Sequence, residues 1–135
     1  MKKLSIIALL ALSASASAAT VQVKIDGVTS DKGALHVAVC DQETFLKKCK
    51  ITASAPARVG SVTIDVPDVP AGTWAVLAYH DANGNNELDR NFVGMPKEGY
   101  GFSNGAKGKF GPPSFKDAAM TVGEGTAAAT VTLAY

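Results

Sequence analysis

The chain has 135 residues, of which 13 are Lys or Arg and 12 are Asp or Glu, so its formal net charge is +1. A charge so close to zero provides no global attraction to nucleic acid or to anionic membranes. The length suits one domain with a well-formed core. Length and charge together argue against a nucleic-acid-binding protein and favour a single small domain.

The first 18 residues follow the pattern of a cleaved export signal. Lys2 and Lys3 form a basic start, the run Leu4–Leu12 is apolar, and Ala16–Ala18 fits the small-x-small rule for signal peptidase. The apolar run is too short to span a bilayer stably. We expect cleavage after Ala18, a mature single domain of residues 19–135 without a membrane span, and a periplasmic or secreted location.

Most of the remaining chain consists of short stretches with the pattern of β-strands. Apolar and polar residues alternate in Val21–Ile25, Leu35–Val39, Val62–Val66 and Val131–Tyr135, and Trp74–Tyr79 is apolar on both faces, like a central strand. Clusters of Gly, Pro and Asp between these stretches indicate turns. The sequence predicts an all-β fold, an immunoglobulin-like or transthyretin-like antiparallel β-sandwich of about seven strands with one long structured loop.

Cys40 and Cys49 are the only cysteines of the chain. In an oxidising compartment an even number of cysteines favours a disulfide, and we expect these two to form one. The alternative is a redox or metal-binding pair, but the CxxC spacing is absent. Gln42–Lys50, which includes Cys49, is the one plausible helical piece, with Asp41 as its N-cap.

The stretch from Tyr79 to Phe115 shows neither strand nor helix periodicity, and it begins with a cluster of Asp and Asn side chains. Long segments of this kind inside compact domains are usually functional or disordered, and the aromatic content argues against disorder. The oxygen-bearing residues are Asp81, Asn83, Asn85, Glu87 and Asp89.

Asp81, Asn83, Asn85 and Asp89 occupy the first, third, fifth and ninth positions of an EF-hand-like count, and the Glu87 carbonyl would fit such a loop. The bidentate glutamate of the twelfth position is missing. A weak calcium site is therefore one hypothesis, and no other cofactor is indicated. The alternative is a structural turn, because Asn-Gly is a strong turn signal and Asp and Asn cap their own turns.

The second half of the stretch interleaves glycines, aromatics and lysines. Glycines let a backbone approach a partner closely, and aromatic faces stack on flat rings. The residues expected to contact a ligand are Tyr100, Phe102, Asn104 and Lys107. The alternative is that the aromatics simply anchor the loop to the body of the domain.

Catalytic motifs are scarce. Histidine occurs only at His36 and His80, and no Ser or Cys lies in a recognisable nucleophile elbow. We expect a protein that is not an enzyme and acts as an exported cell-envelope binding or accessory module for a glycan or protein. The alternatives are a hydrolase that uses His80 and Asp81 or a metal between the histidines, and an assembly protein that pairs through an edge strand, Val21–Ile25 or Val131–Tyr135.

The run NFVGMPKEGYGFSNGAKGKFGPPSFKDAAM, preceded by HDANGNNELD, is similar to a family of small exported bacterial proteins that is catalogued as a domain of unknown function. This resemblance implies an export signal and a β-rich domain, and it implies no catalytic residues. The run VPAGTWAVLAYHDANGNNELD also looks like the strand and loop of transthyretin-like and adhesin-stalk sandwiches, some of which bind calcium there.

Overall fold

The computed structural model describes residues 18–90, 92, 98–109 and 111–135, so the predicted export signal apart from Ala18 lies outside the described residues. The strands are β1 (Ala19–Val28), β2 (Ala34–Cys40), β3 (Ile51–Pro56), β4 (Gly60–Val69), β5 (Gly72–Asp81), β6 (Tyr100–Phe102), β7 (Ala119–Val122) and β8 (Thr126–Thr132). A 3₁₀ turn (Ser103–Gly105) and one helical turn, α1 (Phe115–Ala118), separate β6 from β7. None of the helices in this part of the chain is long and apolar enough to cross a membrane.

The strands form two sheets, which confirms the predicted all-β fold. The first sheet has the order β4-β1-β8, and the second has the order β3-β2-β5-β6, with β7 also paired to β5. Alternate residues of β1, β2 and β4 are buried against one another between the sheets, as the period-two pattern predicts. The main core is therefore the space between the sheets, where Val23, Ile25, Leu35, Val37 and Val131 lie almost fully buried.

Two details of the sheets differ from the prediction. β8 runs parallel to β1, so the fold is not wholly antiparallel. In addition, β1 is the central strand of its sheet, so the expectation that Val21–Ile25 is an exposed edge was wrong. β8, in contrast, is an edge strand of that sheet, as expected for Val131–Tyr135, and just beyond it Ala134 exchanges hydrogen bonds with Tyr100. Alternation reports which residues are buried, but it carries no information about strand order.

The predicted disulfide between Cys40 and Cys49 is present. The residues between them do not form the expected helix, because Leu46 has a φ of 62°, a left-handed conformation that interrupts helical winding. Asp41 nonetheless acts as a cap, since its carboxylate accepts a hydrogen bond of 2.9 Å from the Thr44 N–H. The result is a tight loop, residues 41–50, that we call the disulfide loop.

A second apolar cluster covers the outer face of the second sheet. Phe45 of the disulfide loop packs edge-on against Phe102 and Phe115, with ring centroids 5.9 and 5.8 Å apart. Cys40, Ala75 and Ala118 complete the buried part of this cluster. Three segments that are distant in sequence are thereby held together: the disulfide loop, β6 and α1.

Candidate functional site

A cavity of about 300 Å³ lies beside β6. Its walls come from Tyr100–Phe102, from the loop residues Gly105–Gly108 and Gly111–Pro113, and from Thr132–Ala134. The aromatic side chains of β6, the aliphatic Leu133 and the prolines of the loop make much of the lining apolar. The volume is at the lower limit of ordinary small-molecule pockets.

Glycines allow the cavity walls to approach one another. A Cβ at Gly101 would overlap the Thr132 carbonyl oxygen, and a Cβ at Gly108 would overlap the Gly111 carbonyl oxygen. β6 therefore lies close against the C-terminal segment, and the loop folds tightly back on itself. Close backbone packing therefore explains the glycines at 101 and 108, whereas Gly105 and Gly111 have open space around them and positive φ.

The structure brings three of the four predicted contact residues to this cavity. Tyr100, Phe102 and Lys107 all contribute to its lining. Asn104 does not, because its side-chain amide turns away and donates hydrogen bonds to the Asp117 and Ala119 carbonyls, at 3.4 and 2.8 Å. Asn104 ties the 3₁₀ turn to the end of α1.

Asp81 begins the Asp/Asn loop and is fully buried. Its Oδ1 accepts a hydrogen bond from the Asn85 N–H at 3.2 Å, and its Oδ2 accepts one from the Asn86 N–H at 2.7 Å. Oδ2 also lies 3.1 Å from His36 Nε2. The carboxylate is thus occupied by groups of the protein itself, and these contacts close the turn after β5.

The other members of the predicted calcium set lie on the exposed side of the same loop. The side-chain amides of Asn83 and Asn85 both donate to the Asp89 carboxylate, at 2.7 Å from Asn85. The Asn85 Oδ1 accepts from the Glu87 N–H at 3.0 Å. In the described part of the chain, no group of three or more His, Cys, Asp or Glu side chains is arranged to hold a metal ion. The contacts favour the structural-turn interpretation, and the calcium site stays a prediction.

The pairing of His36 with Asp81 was not predicted from the sequence, in which the two residues are 45 positions apart. His36 lies on β2 opposite Tyr79 of β5, and the two rings stack with centroids 5.0 Å apart. Burial, followed by the charges of Asp81, Glu98 and Glu87, raises the pKa of Tyr79. The only sequence feature that pointed to the His36–Asp81 contact was the position of His36 on the polar face of its strand.

His80 occupies the opposite face of the sheet, since it pairs with the core residue Leu35. It is buried, its Nε2 lies 2.7 Å from the Lys32 carbonyl, and its Nδ1 lies 2.8 Å from the Tyr135 hydroxyl. A carbonyl only accepts, so Nε2 carries the proton and His80 links the C-terminal residue to the loop after β1. Neither a His80–Asp81 pair nor a metal between the two histidines fits this arrangement, because these side chains lie on opposite faces.

No curated protein and no solved structure matches the chain. A model of the family described as uncharacterized protein conserved in bacteria (DUF2141) matches residues 23–130, which run from within β1 to within β8 and include the disulfide loop and most of the residues around the cavity. The match covers far more than half of the sequence, so the chain belongs to this family of uncharacterised bacterial proteins.

Proposed function

We propose that the protein is an exported binding module that holds a saccharide of the cell envelope in the cavity beside β6. The observation that carries this proposal is the cavity itself, about 300 Å³ in volume and lined by Tyr100, Phe102 and Lys107. Tyr100 is only half-buried, so its ring can stack on a sugar ring, whereas Phe102 is almost fully buried and forms the floor behind it. An exposed lysine at the wall favours a ligand that also carries a carboxylate or phosphate.

Export is part of the same proposal. The basic, apolar and small-residue pattern of residues 1–18 supports it. The disulfide between Cys40 and Cys49 is consistent with it, because disulfides form and persist in oxidising compartments.

The experiment is isothermal titration calorimetry with a disaccharide-peptide fragment of peptidoglycan as the probe, which carries both sugar rings and carboxylates. Ala106 contributes to the cavity wall, so Ala106→Leu fills the space that the ligand needs. Ala71 lies in the exposed turn between β4 and β5, and Ala71→Leu is the matched control. We expect Ala106→Leu to weaken binding by about ten-fold or more, which is roughly 1.4 kcal/mol, and Ala71→Leu to leave it unchanged.

Two results would contradict the proposal. Absence of any heat of binding with the unmodified protein would exclude this class of saccharide from the cavity. Equal affinity of the Ala106→Leu and unmodified proteins would place binding elsewhere on the surface.

A further inference from the structure

Leu46 at the tip of the disulfide loop is exposed and strained. Its φ is 62°, in the left-handed region that a leucine rarely adopts, and 44% of its surface is exposed. Its neighbour Phe45 is buried in the outer cluster, and the disulfide closes the loop behind it. Strained residues persist only where the surrounding structure determines them, and they concentrate at functional positions.

Lysines surround this exposed leucine. Lys47, Lys48 and Lys50 follow it on the same loop, and all three are exposed. The contacts among Phe45, Phe102 and Phe115 bring two further segments to the same end of the molecule. Three more lysines are exposed here: Lys116 in α1, and Lys107 and Lys109 in the loop that follows β6 and the 3₁₀ turn. We call the six lysines with Leu46 the basic end.

Charge is unevenly distributed along the second sheet. The basic end follows Cys40, which pairs with Ala75 near the start of β5. Asp81 closes β5 at its other end, roughly 20 Å away at about 3.3 Å per residue. The acidic residues Glu87, Asp89 and Glu98 follow it in the chain. The segments of the basic end also carry Asp41, Glu43 and Asp117, so its six lysines stand against three acidic residues and its formal net charge is about +3.

We infer that the basic end docks on an anionic phospholipid bilayer, an activity that goes beyond saccharide binding in the cavity. Leu46 enters the boundary between headgroups and acyl chains, and the lysines contact lipid phosphates. An apolar side chain flanked by lysines is the pattern of interfacial attachment without a membrane span. The disulfide holds the tip in one conformation before binding, which lowers the entropic cost of docking.

The charge test is co-sedimentation with vesicles of equimolar phosphatidylglycerol and phosphatidylcholine, with pure phosphatidylcholine vesicles as the reference. The variant Lys47→Gln, Lys48→Gln, Lys50→Gln removes three charges from the basic end. The variant Lys24→Gln, Lys32→Gln, Arg58→Gln removes the same net charge from exposed residues elsewhere. We expect the first variant to lose about a hundred-fold in partitioning to the anionic vesicles, because each lysine near the surface contributes roughly five-fold. The second variant should bind like the unmodified protein.

The insertion test is Leu46→Asn. Asparagine tolerates the left-handed region, so this change relieves strain while it removes the apolar tip. We expect an unchanged or higher Tm together with about ten-fold weaker vesicle binding, as befits the loss of a partly buried leucine. If Leu46 had only a structural role, the Leu46→Asn variant would show a lower Tm and unchanged vesicle binding.

Three results would overturn the inference: no binding of the unmodified protein to anionic vesicles, equal loss in the two triple variants, or undiminished binding by Leu46→Asn. The saccharide proposal is independent of all three, because the calorimetric experiment changes Ala106 and not the basic end.

Discussion

At the scale of single residues, the carboxylate of Asp81 holds the end of β5. It is fully buried, and it accepts hydrogen bonds from two backbone N–H groups and lies beside His36. A buried carboxylate is stable only when its oxygens are hydrogen-bonded in this way. The sequence analysis proposed Asp81 as a ligand oxygen, and in the structure its two oxygens accept hydrogen bonds that close the turn after β5.

We expect Asp81→Asn to destabilise the protein by about 2 kcal/mol, because an amide NH₂ would face backbone donors that need an acceptor. His36→Gln removes only the side-chain partner and should cost less, under about 1 kcal/mol. Urea unfolding of both variants measures the difference. If Asp81→Asn were as stable as the unmodified protein, the structural role of this carboxylate would be wrong.

At the scale of elements, the disulfide loop is organised by its first residue as well as by its cystine. The Asp41 carboxylate accepts hydrogen bonds from the Thr44 N–H and hydroxyl, at 2.9 and 2.7 Å. Hydrogen bonds from Thr44 hold the pKa of Asp41 below its usual value of 3.8. A carboxylate with a depressed pKa in the folded state stabilises the protein above its unfolded pKa, and this stabilisation is lost as the pH falls through the folded pKa.

Asp41→Asn should therefore lower the Tm at neutral pH, and its effect should disappear well below pH 3.8, where the native carboxyl is also neutral. Thermal melts of the two proteins across this range measure the effect. Glu43→Gln is the matched control, since Glu43 is an exposed carboxylate of the same loop. A Tm difference for Asp41→Asn that stayed constant with pH would refute the capping role.

The loop after β5 is a second element that hydrogen bonds to side-chain carboxylates hold in place. Hydrogen bonds from the protein occupy the carboxylates of Asp81 and Asp89, and Glu98 accepts from the N–H groups of Ala82 and Asp89, both at 2.9 Å. These contacts favour the interpretation of this loop as a structural turn.

We expect the same Tm in excess calcium and in excess chelator. A ligand that binds only the folded state raises the Tm. A rise specific to calcium, and lost in Asp89→Ala, would restore the calcium hypothesis and count against the turn interpretation.

At the scale of the whole molecule, sequence patterns predicted the features that depend on neighbouring residues, which are the positions of the long strands and the disulfide. Alternation located the long strands because one face of each is buried, and the even cysteine count predicted the disulfide. The parallel pairing of β8 with β1, the short strands β6 and β7, and the His36–Asp81 contact depend on strand order and register, which no local pattern encodes. For the same reason, the aromatic and lysine composition pointed to Tyr100, Phe102 and Lys107 but did not predict that these three residues line a common cavity.

The most direct test of the central claim, a saccharide site beside β6, is amide chemical-shift mapping by NMR with the disaccharide-peptide probe. We predict that the perturbed amides cluster in residues 100–108 and 132–134, on the walls of the cavity. Perturbations confined to other surfaces, or none at saturating probe, would contradict the claim.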